Sequence, residues 1–119
     1  MSCVVYVDDE VLLCRLFKSI LKRTGATVHA FTDPVEALAF IKQTSVDAVV
    51  SDYRMPQMTG LELLHSLERD VPFIMVSGEL AIEELVADEP GVSAVLIKPF
   101  PPEALLDLLR PLVACGSDG

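Results

Sequence analysis

Residues 3–21 read CVVYVDDEVLLCRLFKSIL. Cys3–Val7 is a continuous apolar run, the pattern of a strand covered on both faces. From Glu10 the period changes. Leu12, Leu13, Leu16, Phe17, Ile20 and Leu21 recur at helical spacing, and Arg15, Lys18 and Lys22 fall on the other side. Three acids, Asp8, Asp9 and Glu10, stand where the strand becomes the helix. A buried strand that passes through carboxylates into an amphipathic helix opens an α/β chain with its chemistry at the strand's carboxyl end. Gly25 is placed to stop that helix.

The alternation continues along the chain. Thr27–Phe31 (TVHAF) is short and mixed, as an edge strand would be. Asp33-Pro34-Val35-Glu36 starts a helix: Asp33 caps, Pro34 suits the first position, and Glu36 is spaced to reach back. Ala37, Leu38, Phe40 and Ile41 form its buried side. Ala48–Ser51 predicts a third strand, ending on Asp52. Thr59 and Glu62 make a capping-box pattern for a helix with Leu61, Leu64 and Leu67 on one face. Phe73–Val76 predicts a fourth strand, Leu80–Ala87 a short helix ended by Pro90-Gly91, and Ala94–Ile97 a fifth strand. Pro102–Arg110 predicts a last helix, with a kink or stop at Pro111. The sum is (βα)5, a doubly wound five-stranded parallel sheet with helices on both faces. One domain is expected over residues 1–119, with its core at about 2–114 and a tail at 115–119.

Composition narrows the function classes. Hydrophobic residues make up 51% of the 119, so a packed globule is expected. No apolar run reaches the roughly 18 residues needed to span a bilayer. MSCVVYVDDE carries no basic residue ahead of its apolar stretch, so a signal peptide is not expected and a cytoplasmic location is. Eighteen acids against 9 bases give a formal charge of −9, which repels a phosphate backbone; no nucleic-acid binding is expected. Cys3, Cys14 and Cys115 lack CxxC spacing and read as reduced thiols. His29 and His65 have no partner at ligand spacing, and Met55, Met58 and Met75 read as packing residues.

The strand ends share one edge of such a sheet. Asp8, Asp9 and Glu10 follow strand 1, Asp52 strand 3, Ser77-Gly78 strand 4, and Lys98-Pro99 strand 5. Crowded carboxylates repel one another, and a hard divalent cation relieves the conflict. Mg²⁺ prefers oxygen ligands and pairs one or two carboxylates with a phosphate. Lys98 adds a fixed positive charge and Ser77 a hydroxyl, which together suit a phosphoryl group in transfer. Asp52, central among the strands, is the candidate nucleophile. Asp8 and Asp9 alone would read as helix-capping acids.

Val7-Asp8-Asp9-Glu10, Ser51-Asp52 with Met55-Pro56 and Gly60, Ser77-Gly78, and Lys98-Pro99-Phe100 together resemble the response-regulator receiver domain of two-component signalling, over nearly the whole chain. The resemblance implies a flavodoxin-like strand order 2-1-3-4-5. It implies a phosphoacceptor domain that takes a phosphoryl group from a kinase phosphohistidine onto Asp52 and signals by a changed surface. In that reading Asp9 is a direct Mg²⁺ ligand, Asp8 one acting through water, and the backbone carbonyl of Arg54 another. Lys98 pairs with the phosphate, and Ser77 closes on a phosphoryl oxygen. The Lys98–Pro99 bond is expected to be cis, a modest cost before proline. The implied partners are a histidine kinase or phosphotransfer domain, and the domain is not an enzyme in the turnover sense. Both a stand-alone regulator and a receiver of a larger regulator or hybrid kinase fit the residues.

The chain departs from the family at Val95, where the switch residue is usually aromatic. Arg54 and Glu79 flank the expected cleft mouth, either as an ion pair slowing water's access or as two solvated side chains. Leu105, Leu106, Leu108, Leu109, Leu112 and Val113 cover a wide arc of the last helix. Deep burial and a homodimer face shared with strand 5 both account for that arc. An aspartate-nucleophile Mg²⁺ phosphatase is the alternative function, but Asp8 and Asp9 are adjacent where those enzymes have DxD. A flavin domain would need a phosphate loop where the acids of VDDE stand.

Overall fold

The structure, a computed structural model, describes the backbone of residues 2–117 and side chains through Val113. The expected thiol of Cys115 lies outside the described side chains, while Cys3 and Cys14 are free and buried. Five parallel strands, β1 (Cys3–Val7), β2 (Thr27–Phe31), β3 (Ala48–Asp52), β4 (Phe73–Ser77) and β5 (Val92–Ile97), form one sheet in the order β2-β1-β3-β4-β5. Five α-helices connect and follow them: α1 (Val11–Leu21), α2 (Pro34–Gln43), α3 (Gly60–Ser66), α4 (Ile82–Leu85) and α5 (Pro102–Ser117).

Strand periodicity sorts the core into two layers. Val4 and Tyr6 of β1 point toward α1 and α5, among Cys14, Phe17, Leu21, Leu105, Leu106 and Leu109. Val5 and Val7 point the other way, among Ala37, Ile41, Leu63 and Ile82. Met55 and Met75 are buried in this second layer, with Met58 packed against it. His29 stacks on Phe40, centroids 4.5 Å apart.

Local signals hold where side-chain chemistry is specific. Asp33 accepts from the Val35 amide at 2.9 Å with Pro34 behind it. Thr59 and Glu62 close both bonds of the capping box. A short 3₁₀ turn, Lys22–Thr24, follows α1, and Gly25 ends it at φ +88°, a conformation that favours glycine.

Five expectations need correction. The buried face of α1 is Cys14, Phe17 and Leu21, with Leu13 and Ile20 half-buried; Leu12 and Leu16 face outward. They sit one position off the true stripe, and Cys14 marks its centre. In α3, Leu63 is fully buried while Leu61, Leu64 and Leu67 are only partly so. Helix α4 is four residues rather than Leu80–Ala87. Its N-cap, Ala81, offers no side-chain acceptor, its last turn has no base, and Asp88 and Glu89 follow its negative end. Helix α5 runs through Pro111 to Ser117 instead of ending near Arg110, which takes part of the expected tail into the helix. Proline removes one helical N–H, but Leu112 and Val113 beyond it pack on the core, and Ser2 Oγ donates to the Val113 carbonyl at 2.8 Å. Strand β5 also starts two residues early. A register shift admits Ser93, whose Oγ accepts from the Phe73 amide at 3.2 Å.

Among the described residues, no helix is long and apolar enough to cross a membrane.

Candidate functional site

The carboxyl ends of β1 and β3 bring three acids together. Asp8, Asp9 and Asp52 each place a carboxylate oxygen within 4.8 Å of the others. Asp8 is fully buried, Asp52 half-buried and Asp9 exposed, so the cluster runs from the protein interior to water. Hard oxygen donors graded in this way fit a small divalent cation that keeps part of its hydration.

Asp8 does not cap α1. The N-cap is Glu10, with no side-chain cap bond; Asp8 Oδ1 instead accepts the Glu10 amide at 3.0 Å. Asp8 Oδ2 accepts from the Tyr6 hydroxyl at 3.1 Å. The Cys14 thiol donates to the Asp8 carbonyl at 3.1 Å. Lys98 Nζ lies 3.5 Å from Asp8 Oδ2 and 3.5 Å from Asp52 Oδ1, a single cation shared by two acids. Burial pushes the Asp52 carboxyl up from 3.8 to about 6. Lys98 opposes that shift, and Asp8 and Asp9 add to it.

Lys98 reaches this place because β5 pairs with β4 and its amide donates to the Ser77 carbonyl at 2.8 Å. The Lys98–Pro99 peptide is cis. Ser77 is buried at the end of β4, where its Oγ accepts the Glu79 amide at 3.0 Å. A Cβ on Gly60 would stand 2.9 Å from the Asp52 carbonyl and 2.4 Å from Met75 Sδ, so only glycine fits the start of α3. Val95 is half-buried opposite Met75.

At the cleft mouth Arg54 Nε and Glu79 Oε1 form an ion pair, with the guanidinium 5.4 Å from the Tyr53 ring centroid. The Glu79 side chain is one-third exposed and Arg54 two-thirds. The site thus assembles the acids, Lys98, Ser77 and the Arg54–Glu79 pair on one edge. Tyr6 and Cys14 join the site through their bonds to Asp8. Tyr6 was legible in principle, because a residue two before Asp8 on a strand shares its face.

The family profile described as "Response regulator receiver domain" matches residues 4–110. Among characterised relatives, a chemotaxis protein CheY homolog of Campylobacter jejuni is 33% identical, covering 96% of this chain and 94% of that one. The chemotaxis protein CheY of Pseudomonas aeruginosa is 30% identical over 90% of this chain and 92% of its own. The solved structure of CheY4 from Vibrio cholerae matches with a TM-score of 0.82 at 30% identity, covering 94% of this chain and 98% of that one. A receiver domain from Clostridium thermocellum, at 20% identity, shares the fold with a TM-score of 0.86. With its order 2-1-3-4-5 sheet and its acidic strand ends, the chain belongs to the response regulator receiver domain family of two-component signalling, in its CheY-like form.

Proposed function

We propose that this domain accepts a phosphoryl group from a histidine kinase or phosphotransfer domain onto Asp52 and signals through the surface that changes in response. The observation carrying this reading is the Lys98 ammonium set 3.5 Å from both Asp8 and Asp52 beside three clustered acids. Asp52 Oδ attacks phosphorus and the P–O bond forms. The P–N bond to the donor imidazole breaks, and its electron pair returns to the ring nitrogen. Lys98 balances charge on the phosphoryl oxygens, and the Ser77 hydroxyl donates to one of them. Asp8, Asp9, Asp52 and the Arg54 carbonyl would hold Mg²⁺, which neutralises the equatorial charge when bound. Water attacking the same phosphorus returns Asp52 to a carboxylate and releases phosphate.

The phosphatase alternative gains nothing from the geometry, since Asp52 on β3 and the adjacent Asp8-Asp9 pair after β1 form no DxD. Val95 offers no ring to rotate, so output passes through loop and helix movement at the β4–α4 and β5 edge. Self-association through β5 and α5 is part of the proposal on the strength of β5, partly exposed along its length; the α5 arc itself is buried at Leu105, Leu106, Leu109 and Val113 and half-buried at Leu108 and Leu112. Size-exclusion chromatography with and without beryllofluoride checks it. The formal net charge of −9 favours basic protein partners over nucleic acid. The Arg54–Glu79 pair is proposed to slow water's approach to the acyl phosphate.

Amide NMR with Mg²⁺ and beryllofluoride tests the reading. Saturable shifts around Asp52, Ser77 and Lys98, lost in Asp52→Asn, are expected. Unchanged spectra in the wild type would overturn it.

A further inference from the structure

Asp8 is held by a group that its place in the sheet does not require. Tyr6 is 1% exposed and Asp8 0%, so their 3.1 Å bond lies inside the protein. Position 6 faces the α1–α5 layer, where any large apolar side chain would fill the volume. Tyrosine fills it and adds a donor. The ring is clamped: it stacks on Phe17 at 5.2 Å, and Phe17 packs on Phe100 at 5.8 Å, two residues beyond Lys98.

The Asp8 carboxylate is therefore fastened at both oxygens. Oδ1 takes the Glu10 amide, and Oδ2 takes Tyr6 with Lys98 farther off at 3.5 Å. We propose that Tyr6 is a positioning residue for the metal site: its hydroxyl fixes the Asp8 carboxylate from inside the core, so that the Lys98 it shares with Asp52 is not its only side-chain partner. The proposal rests on the Mg²⁺ reading of the acid cluster. Without the hydroxyl, Asp8 Oδ2 has Lys98 as its remaining side-chain partner, and the two acids compete for one ammonium. Partners of this kind, one bond removed from the ligands, change metal affinity by about 10–100-fold when lost.

Tyr6→Phe keeps the ring, its stacking and the core volume, and removes the donor alone. Mg²⁺ titration by calorimetry is the measurement, with wild type, Tyr6→Phe, Asp8→Asn and the double variant compared. Tyr6→Phe is expected to weaken Mg²⁺ about tenfold, and to weaken it no further in the Asp8→Asn background. A Tyr6→Phe affinity within about twofold of wild type would overturn the proposal, as would an equal loss in both backgrounds. The second result is what general loosening of the core would give. In the unmutated protein, the buried Tyr6 hydroxyl proton is expected to shift in NMR as Mg²⁺ saturates, and a signal indifferent to Mg²⁺ would contradict it without any variant. A wild type that takes no Mg²⁺ would overturn the metal site and the Tyr6 role together. Wild-type binding with an unaffected Tyr6→Phe overturns the Tyr6 role alone.

Discussion

Strands β1 and β5 belong to one sheet and meet opposite fates. Every residue of β1 is buried, between β2 and β3 and beneath helices on both faces. β5 closes the sheet on one side, is partly exposed along its length, and has only the four-residue α4 over one face. The first delivers Asp8 and Asp9, and the second delivers Lys98. Asp8 and Asp9, proposed to hold the metal, thus follow a strand buried throughout, while Lys98, proposed to pair with the phosphate, follows a strand with no fully buried residue, on which Val95 stands. A strand with few packed neighbours moves at lower cost, so a change at the site should surface along β5 and α4.

The largest effect should come from the residue that joins the two regions. Lys98→Ala is expected to weaken beryllofluoride binding by about 10²–10³-fold, the scale of a lost charge-stabilising donor. Near-wild-type binding would mean that β5 contributes no chemistry. Next, Val5→Ala should cost about 2 kcal/mol and Val95→Ala under about 1 kcal/mol in urea unfolding, because only the first leaves a sealed cavity. Equal costs would erase the contrast between the strands.

Asp52 gives a third test, of similar size. In the absence of a cation, burial pushes its carboxyl up to about 6 from the ordinary 3.8 of an unfolded chain. Folding therefore keeps the proton longer, and stability falls as pH rises through that window. Above it, Asp52→Asn should stabilise the protein in EDTA by on the order of 2 kcal/mol, with the gain absent near pH 3. A variant no more stable than wild type at pH 7.5 would show that burial does not strain this carboxylate. The smallest stability effect belongs to Arg54→Ala, which should change folding by about 0–1 kcal/mol since the pair is largely exposed. Its phosphoryl group should nonetheless be lost faster; an unchanged half-life would remove the pair from the mechanism.

The convergence of the strand-end residues was legible in the sequence because it depends on residue type at fixed breaks. Asp8, Asp9, Asp52, Ser77 and Lys98 each follow an apolar run, and parallel strands must bring such breaks to one edge. Helix faces were less legible. Leu12 and Leu16 satisfy a helical period by hydropathy, yet α1 turns Cys14 inward, and one position of rotation decides which leucines meet water. Pro111 misled for a related reason. Its local cost is real, but packing of Leu112 and Val113 outweighs it, and no local signal carries that contact. Tyr6 read simply as a strand residue, because its hydroxyl has meaning only once the Asp8 carboxylate is seen to be buried beside it.

The central claim is that Asp52 accepts the phosphoryl group. Intact-mass and peptide mass spectrometry after incubation with Mg²⁺ and acetyl phosphate tests it most directly. One added phosphoryl group, mapped to Asp52 and absent in Asp52→Asn or in EDTA, is the predicted result. No added mass, or an added group that persists in Asp52→Asn, would contradict it.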